Sequence, residues 1–140
     1  MGLVAIALAA GCSSREHSSA AITRAIERTP ATIVVDGQTI EVAPLREALN
    51  GLCQARHEAA TDPRTAKAIY DRRAQVGVDA AVRILRRSYS VVASSMAAAV
   101  GRIDAAPADV ATLADDLARL AQLTRDGLAR LGVTTSPCAT

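Results

Sequence analysis

Cys53 and His57 stand four positions apart in a stretch of helical periodicity, so a thiolate and an imidazole would share one helix face. That is the arrangement of a nucleophile beside its base. Acyl transfer by such a pair also needs a group to orient the imidazole and donors for an oxyanion. Asn50 and Glu58 are close in sequence, but no pattern assigns them either task. The same residue types can bind metal, yet His17 is remote from His57, and the chain has no His-x-x-x-His, Cys-x-x-Cys or acidic calcium-type loop. His57 therefore reads as a surface histidine, and no metal or cofactor is called for. A Gly-rich phosphate loop and a Gly-x-Ser-x-Gly elbow are also missing. Hydrolase and nucleotide-binding readings have nothing to rest on, and the expectation is a protein that is not an enzyme.

Charge offers a second kind of chemistry. The 140 residues carry 16 Lys or Arg against 14 Asp or Glu, and Lys67 is the single lysine. The net charge of +2 hides an asymmetry. Residues 62–88 hold Arg64, Lys67, Arg72, Arg73, Arg83, Arg86 and Arg87 against Asp62, Asp71 and Asp79, whereas the parts on either side are slightly acidic. On a helix these cations make either a solvated face or a basic stripe. In the second case Arg72, Arg73, Arg83, Arg86 and Arg87 are the candidates for contact with anionic lipid or cell-wall polymer.

Half of the residues are hydrophobic, but the aromatic set is only Tyr70 and Tyr89. Such an apolar fraction argues against disorder. The lack of Phe and Trp disfavours sugar-binding platforms and base-stacking surfaces. No apolar run approaches the ~20 residues of a membrane span.

The first twelve residues carry the most specific signal. An apolar stretch from Leu3 to Leu8 leads into Leu8-Ala9-Ala10-Gly11-Cys12, small residues ahead of a cysteine. A polar run, Ser13 to Ser19, follows at once. This resembles the signal peptide and lipobox of bacterial lipoproteins. The resemblance implies cleavage before Cys12, a diacylglycerol on its sulfur, and a cell-membrane location on the extracytoplasmic face. No Lys or Arg precedes the apolar stretch, so a start upstream of Met1 that supplies a basic segment is expected. Taken without the resemblance, residues 2–10 read as the first turns of a buried helix. The implied division is a signal peptide over 1–11, a lipid-anchored polar tether over 12–30, and a folded domain over 31–140.

With Cys12 lipidated, Cys53 and Cys138 remain as an even pair, and in an exported protein such a pair reads as a disulfide. The bond competes with the thiol-enzyme reading, because a disulfide sulfur is no nucleophile. Export also separates the chain from nucleic acid.

These residues must be positioned by a small domain. Two β-rich runs, 31–35 and 38–42, flank Asp36-Gly37, the signature of a type I′ hairpin that pairs Val35 with Gln38, Val34 with Thr39 and Ile33 with Ile40. From Pro44 the period becomes helical, with Leu45, Leu49, Leu52 and Ala59 on one face. Asp62-Pro63 reads as the N-cap and first position of a second helix reaching about Arg86. Its expected stripe is Ala66, Ile69, Tyr70, Val76, Ala80 and Ile84, with Val78, Val82 and Leu85 on a second stripe. Tyr70 is expected to place its ring in the core and its hydroxyl in a hydrogen bond at the edge. A third helix carries Val92, Met96, Ala99, Val100 and Ile103. A fourth carries Val110, Leu113, Leu117, Leu120, Ala121, Leu128 and Leu131, with Asp115/Arg119 and Asp126/Arg130 as outward pairs and Gly132 as its stop.

The expected fold is mainly α, a small antiparallel four-helix bundle with an N-terminal β-hairpin. In layout it resembles small helical lipoproteins of high-GC bacteria. The expected function is that of a non-enzymatic, lipid-anchored envelope module contacting a partner protein or an anionic envelope component. The alternative is an extracytoplasmic small-ligand binding or sensing protein with a pocket between hairpin and helices.

Overall fold

A computed structural model describes residues 30–138. The signal segment 1–11, Cys12 and the tether up to residue 29 lie outside the described residues. Strands β1 (Thr32–Val35) and β2 (Gln38–Glu41) form an antiparallel hairpin. Its register pairs Ile33 with Ile40, Val34 with Thr39 and Val35 with Gln38. Both turn residues have positive φ, 50° at Asp36 and 77° at Gly37, as a type I′ turn demands. Ile33 and Val42 are buried, while Val35 and Ile40 pack partly against the core. The other face, with Thr32, Val34 and Thr39, is open to solvent.

Four helical stretches follow, and the domain is mainly helical, consistent with a small helical bundle. The first is α1 (Ala43–Ala59), with Pro44 in its opening turn, where the missing N–H costs nothing. The second is a rod in three pieces: α2 (Pro63–Ile69), a π-helical segment at Tyr70–Ala74, and α3 (Gln75–Ser88). Asp62 caps it. Its carboxylate accepts from the Thr65 hydroxyl at 2.7 Å and from the N–H groups of Thr65 and Arg64, each at 3.1 Å. These bonds, the Thr65 hydroxyl first, hold the Asp62 carboxyl below the usual value. Then come α4 (Ser90–Ala105) and α5 (Leu113–Arg130).

Helix α1 packs against α5 and against all three pieces of the rod, and α4 packs against α3 and α5. The shared core is aliphatic and small: Leu49, Leu52, Leu85, Met96, Ile103, Leu117, Leu120 and Leu128, with Ala48, Ala55, Ala74 and Ala99 between them. Small side chains let the helix axes approach. One close approach is at Gly77, where an added Cβ would lie 2.5 Å from the Ala48 Cβ and 3.0 Å from the Pro44 carbonyl oxygen. At Gly51 a Cβ would meet the Cβ of Arg73 at 2.9 Å and its carbonyl carbon at 3.0 Å. The rod thus remains helical through Gly77, and the glycine serves contact with α1.

The π segment corrects the expected stripe of the second helix. The buried residues are Ala66, Tyr70, Ala74, Val78, Ala81, Val82 and Leu85, while Val76 is 78% exposed and Ala80 and Ile84 are half-buried. Steps of four from 66 to 78 drift off one face of a 3.6-residue helix by about 40° each. A wider π turn absorbs that drift and keeps all four on the core side.

Helix α5 ends in a Schellman motif. Gly132 has φ 82°, its N–H bonds to the Ala129 carbonyl at 3.0 Å, and the Val133 N–H bonds to the Leu128 carbonyl at 2.9 Å. Val133 and Leu128 are both buried, which supplies the apolar contact of the motif. The outward pairs expected on α5 do not form. Asp116 binds Arg102 of α4 at 3.0 Å, and Asp126 accepts from Gln122 at 2.8 Å. Among the described residues no helix is long and apolar enough to cross a membrane.

Candidate functional site

Cys53 lies in the third turn of α1, half-buried at the edge of the core. Beyond the Schellman turn the C-terminal segment runs back along α1: Arg46 Nη2 donates to the Thr134 carbonyl at 3.3 Å, and Cys138 reaches Cys53. The two sulfurs are 2.02 Å apart and the Cα atoms 5.2 Å, a disulfide across 85 residues of sequence. In the chain-entropy account such a loop is worth about 4–5 kcal/mol of stability. Arg125 of α5 sits over the bond, with Nη2 4.0 Å from Cys138 Sγ and Nη1 on Gln122 at 3.0 Å.

This geometry decides what Cys53 and His57 can do together. The helix does place them one turn apart, but the sulfur is bonded to Cys138 and holds no thiolate. His57 is exposed, and among the described residues no side-chain hydrogen bond ties it to Asn50 or Glu58. The described residues also contain no group of three His, Cys, Asp or Glu close enough to hold a metal ion.

The five arginines proposed from the sequence fall on different sides of the rod. Arg73 faces α1, where its guanidinium is bound by Glu47 and Gln54. Lys67 is likewise engaged, 3.2 Å from Asp71 and 3.8 Å from Asp104, with its ammonium 5.4 Å from the centre of the Tyr70 ring. Arg72, Arg83, Arg86 and Arg87 are exposed and make no ion pair among the described residues. With the core side set by Val78, Ala81, Val82 and Leu85, helical geometry puts Arg83 and Arg87 opposite the core. Arg86 lies on a flank, and the π segment brings Arg72 round to the outer side. Val76, the most exposed large apolar residue of the rod, is on this same outer line.

A groove of about 400 Å³ lies where the hairpin meets α1, lined by Pro30, Ala31, Val42, Ala43, Arg46, Glu47 and Asn50. The alternative ligand reading expected a pocket against the apolar hairpin face and the helix stripes. The groove instead uses the base of the hairpin and the polar side of α1, with Arg46 and Glu47 already engaged elsewhere.

Two features escaped sequence reasoning. Tyr70 is fully buried, and its hydroxyl has no hydrogen-bond partner among the described residues, contrary to the bonded hydroxyl expected at the edge. Burial, with the carboxylates of Asp104, Asp79 and Asp71, pushes its phenol well above the ordinary value of about 10. Tyr89 behaves as a polar strap: its hydroxyl donates to the Arg130 carbonyl at 3.2 Å, and the Arg130 guanidinium lies 5.6 Å from its ring centre. Comparison with protein-family models, with curated proteins and with solved structures finds no match.

Proposed function

We propose that this protein is a non-enzymatic module of a bacterial cell envelope, held at the extracytoplasmic face of the membrane by a diacylglycerol on Cys12. In this reading the folded part, beginning near residue 31, is an antiparallel four-helix bundle carrying an N-terminal hairpin. Residues 12–30 act as its tether. The observation that carries the reading is the Cys53–Cys138 bond. A disulfide that closes so long a loop in a small domain fits an oxidising compartment, and it removes the one thiol that a catalytic dyad would have used. The lipobox-like run Leu8 to Cys12 supports the same compartment by a separate route. The cargo of such a module is a partner protein or an anionic envelope component, met by the surface of the helices.

Metabolic labelling with a fatty-acid probe tests the anchor. The wild-type chain is expected to take up label and to sediment with membranes. The Cys12→Ser variant is expected to lose the label and to appear in the soluble extracytoplasmic fraction. Membrane association that survives the substitution unchanged would overturn the anchor.

A further inference from the structure

We propose that the outer face of the rod formed by α2, the π segment and α3 is a docking surface for anionic phospholipid headgroups. The proposal deepens the envelope-module reading and rests on it, since the Cys12 anchor would place this face beside a bilayer. Charge complementarity carries it. Arg72, Arg83 and Arg87 line the side of the rod away from the core, Arg86 flanks them, and all four are exposed without an ion pair among the described residues. Asp79, four residues before Arg83, is half-buried and makes no ion pair with Arg83 or Arg86. Two other cations of the rod are paired, Lys67 with Asp71 and Asp104 and Arg73 with Glu47, while Arg64 in its first turn, like the strip, makes no ion pair among the described residues.

The shape of the patch favours a bilayer over a soluble polyanion. From Arg72 to Arg87 the strip runs roughly 20 Å along the rod, so its guanidiniums can meet several headgroups. Val76 stands in the middle of the strip, 78% exposed, and Val91 is equally exposed in the first turn of α4. An isolated apolar side chain among arginines gains nothing from a hydrated polymer but gains burial at the headgroup boundary. Arginine suits this contact, since its planar guanidinium binds phosphate through two donors at once.

The test uses the full chain carrying Cys12→Ser, so that lipidation contributes nothing. Co-sedimentation is measured with vesicles of phosphatidylcholine alone and of a phosphatidylcholine and phosphatidylglycerol mixture. The apolar segment 3–8 is common to every variant and cancels in the ratio of the two partition coefficients. The ratio is expected to exceed tenfold at low salt and to fall towards unity as salt screens the charges. Each of Arg83→Gln and Arg87→Gln is expected to lower it about fivefold, in line with the attraction of one basic residue to an anionic leaflet. Arg73→Gln, which changes a paired arginine, should leave it unchanged. Circular dichroism confirms that each variant is folded. Equal binding to both vesicle types, or a ratio indifferent to Arg83 and Arg87, overturns the proposal; so does capture by soluble polyglutamate without binding to the anionic vesicles. Fatty-acid labelling of Cys12 reads the anchor independently, so failure of this surface is distinguishable from failure of the anchor.

Discussion

Arg72 and Arg73 are consecutive in sequence and have opposite fates. Arg73 turns to α1, where Gly51 lets its backbone come close and Glu47 and Gln54 bind its guanidinium. Arg72 turns away and meets no acid among the described residues. The difference extends along the whole rod. Its inner side is closed by small residues against α1, Gly77 against Ala48 above all, and α1 is in turn tied to the C-terminal segment by the disulfide. Its outer side is a basic strip that makes no ion pair among the described residues, with Val76 exposed. One side therefore sets stability and the other is free to set contacts, so substitutions on the two sides should move different measurements.

The largest effect is expected at α1, the helix that covers the inner side. Replacing both Cys53 and Cys138 by Ser should cost up to about 4–5 kcal/mol in urea unfolding, a large share of the 5–15 kcal/mol typical of a small domain. A midpoint that hardly moves would show that helix packing alone holds the fold. Next comes Gly77→Ala. Helix propensity alone favours alanine by about 1 kcal/mol, but the new methyl overlaps Ala48 and the Pro44 carbonyl, and overpacking of this kind costs roughly 1–3 kcal/mol. Net destabilisation is expected; a higher melting temperature would mean that α1 and α3 are further apart than described.

A smaller effect, with the opposite sign, is expected at Tyr70. Its buried hydroxyl has no partner among the described residues, so Tyr70→Phe removes a desolvation cost and should leave stability unchanged or raise it by about 1 kcal/mol. Alkaline titration sharpens the point. The folded phenol is held above its unfolded value of about 10, so this group contributes stability that is complete below pH 10. That stability drains away as pH rises towards the folded value. Tyr70→Phe should therefore flatten the loss of stability above pH 10, and an unchanged slope would contradict the burial. The smallest effect belongs to the outer side: Arg72→Gln should alter stability by less than about 0.5 kcal/mol, and Arg73→Gln by up to about 1 kcal/mol.

What could be read from the chain beforehand was what local chemistry decides. Asp36-Gly37 fixes the hairpin register, Asp62-Pro63 starts the rod, and Gly132 stops α5, each within a few residues of its cause. The π segment was hidden because it answers to α1, a separate element that presses its Gly51 on Arg73. A 3.6-residue count carried two turns on from Ile69 puts Val76 inside, whereas the core uses Ala74, one turn past Tyr70. Of the pairs on α5, Asp126 instead accepts from Gln122 on its own helix, and Arg130 lies over the ring of Tyr89, a neighbour outside the helix that no helical spacing records. The basic strip was legible as composition, but its division into paired and unpaired arginines needed the three-dimensional arrangement.

The measurement that bears most directly on the account is the intact mass of the protein purified from membranes, taken before and after alkylation without reductant. The account predicts a chain that begins at Cys12, carries a diacylglyceryl group there, and takes up no alkyl label because Cys53 and Cys138 are bonded. An unlipidated chain that retains Leu8 to Gly11, or one that is alkylated at Cys53, would contradict it.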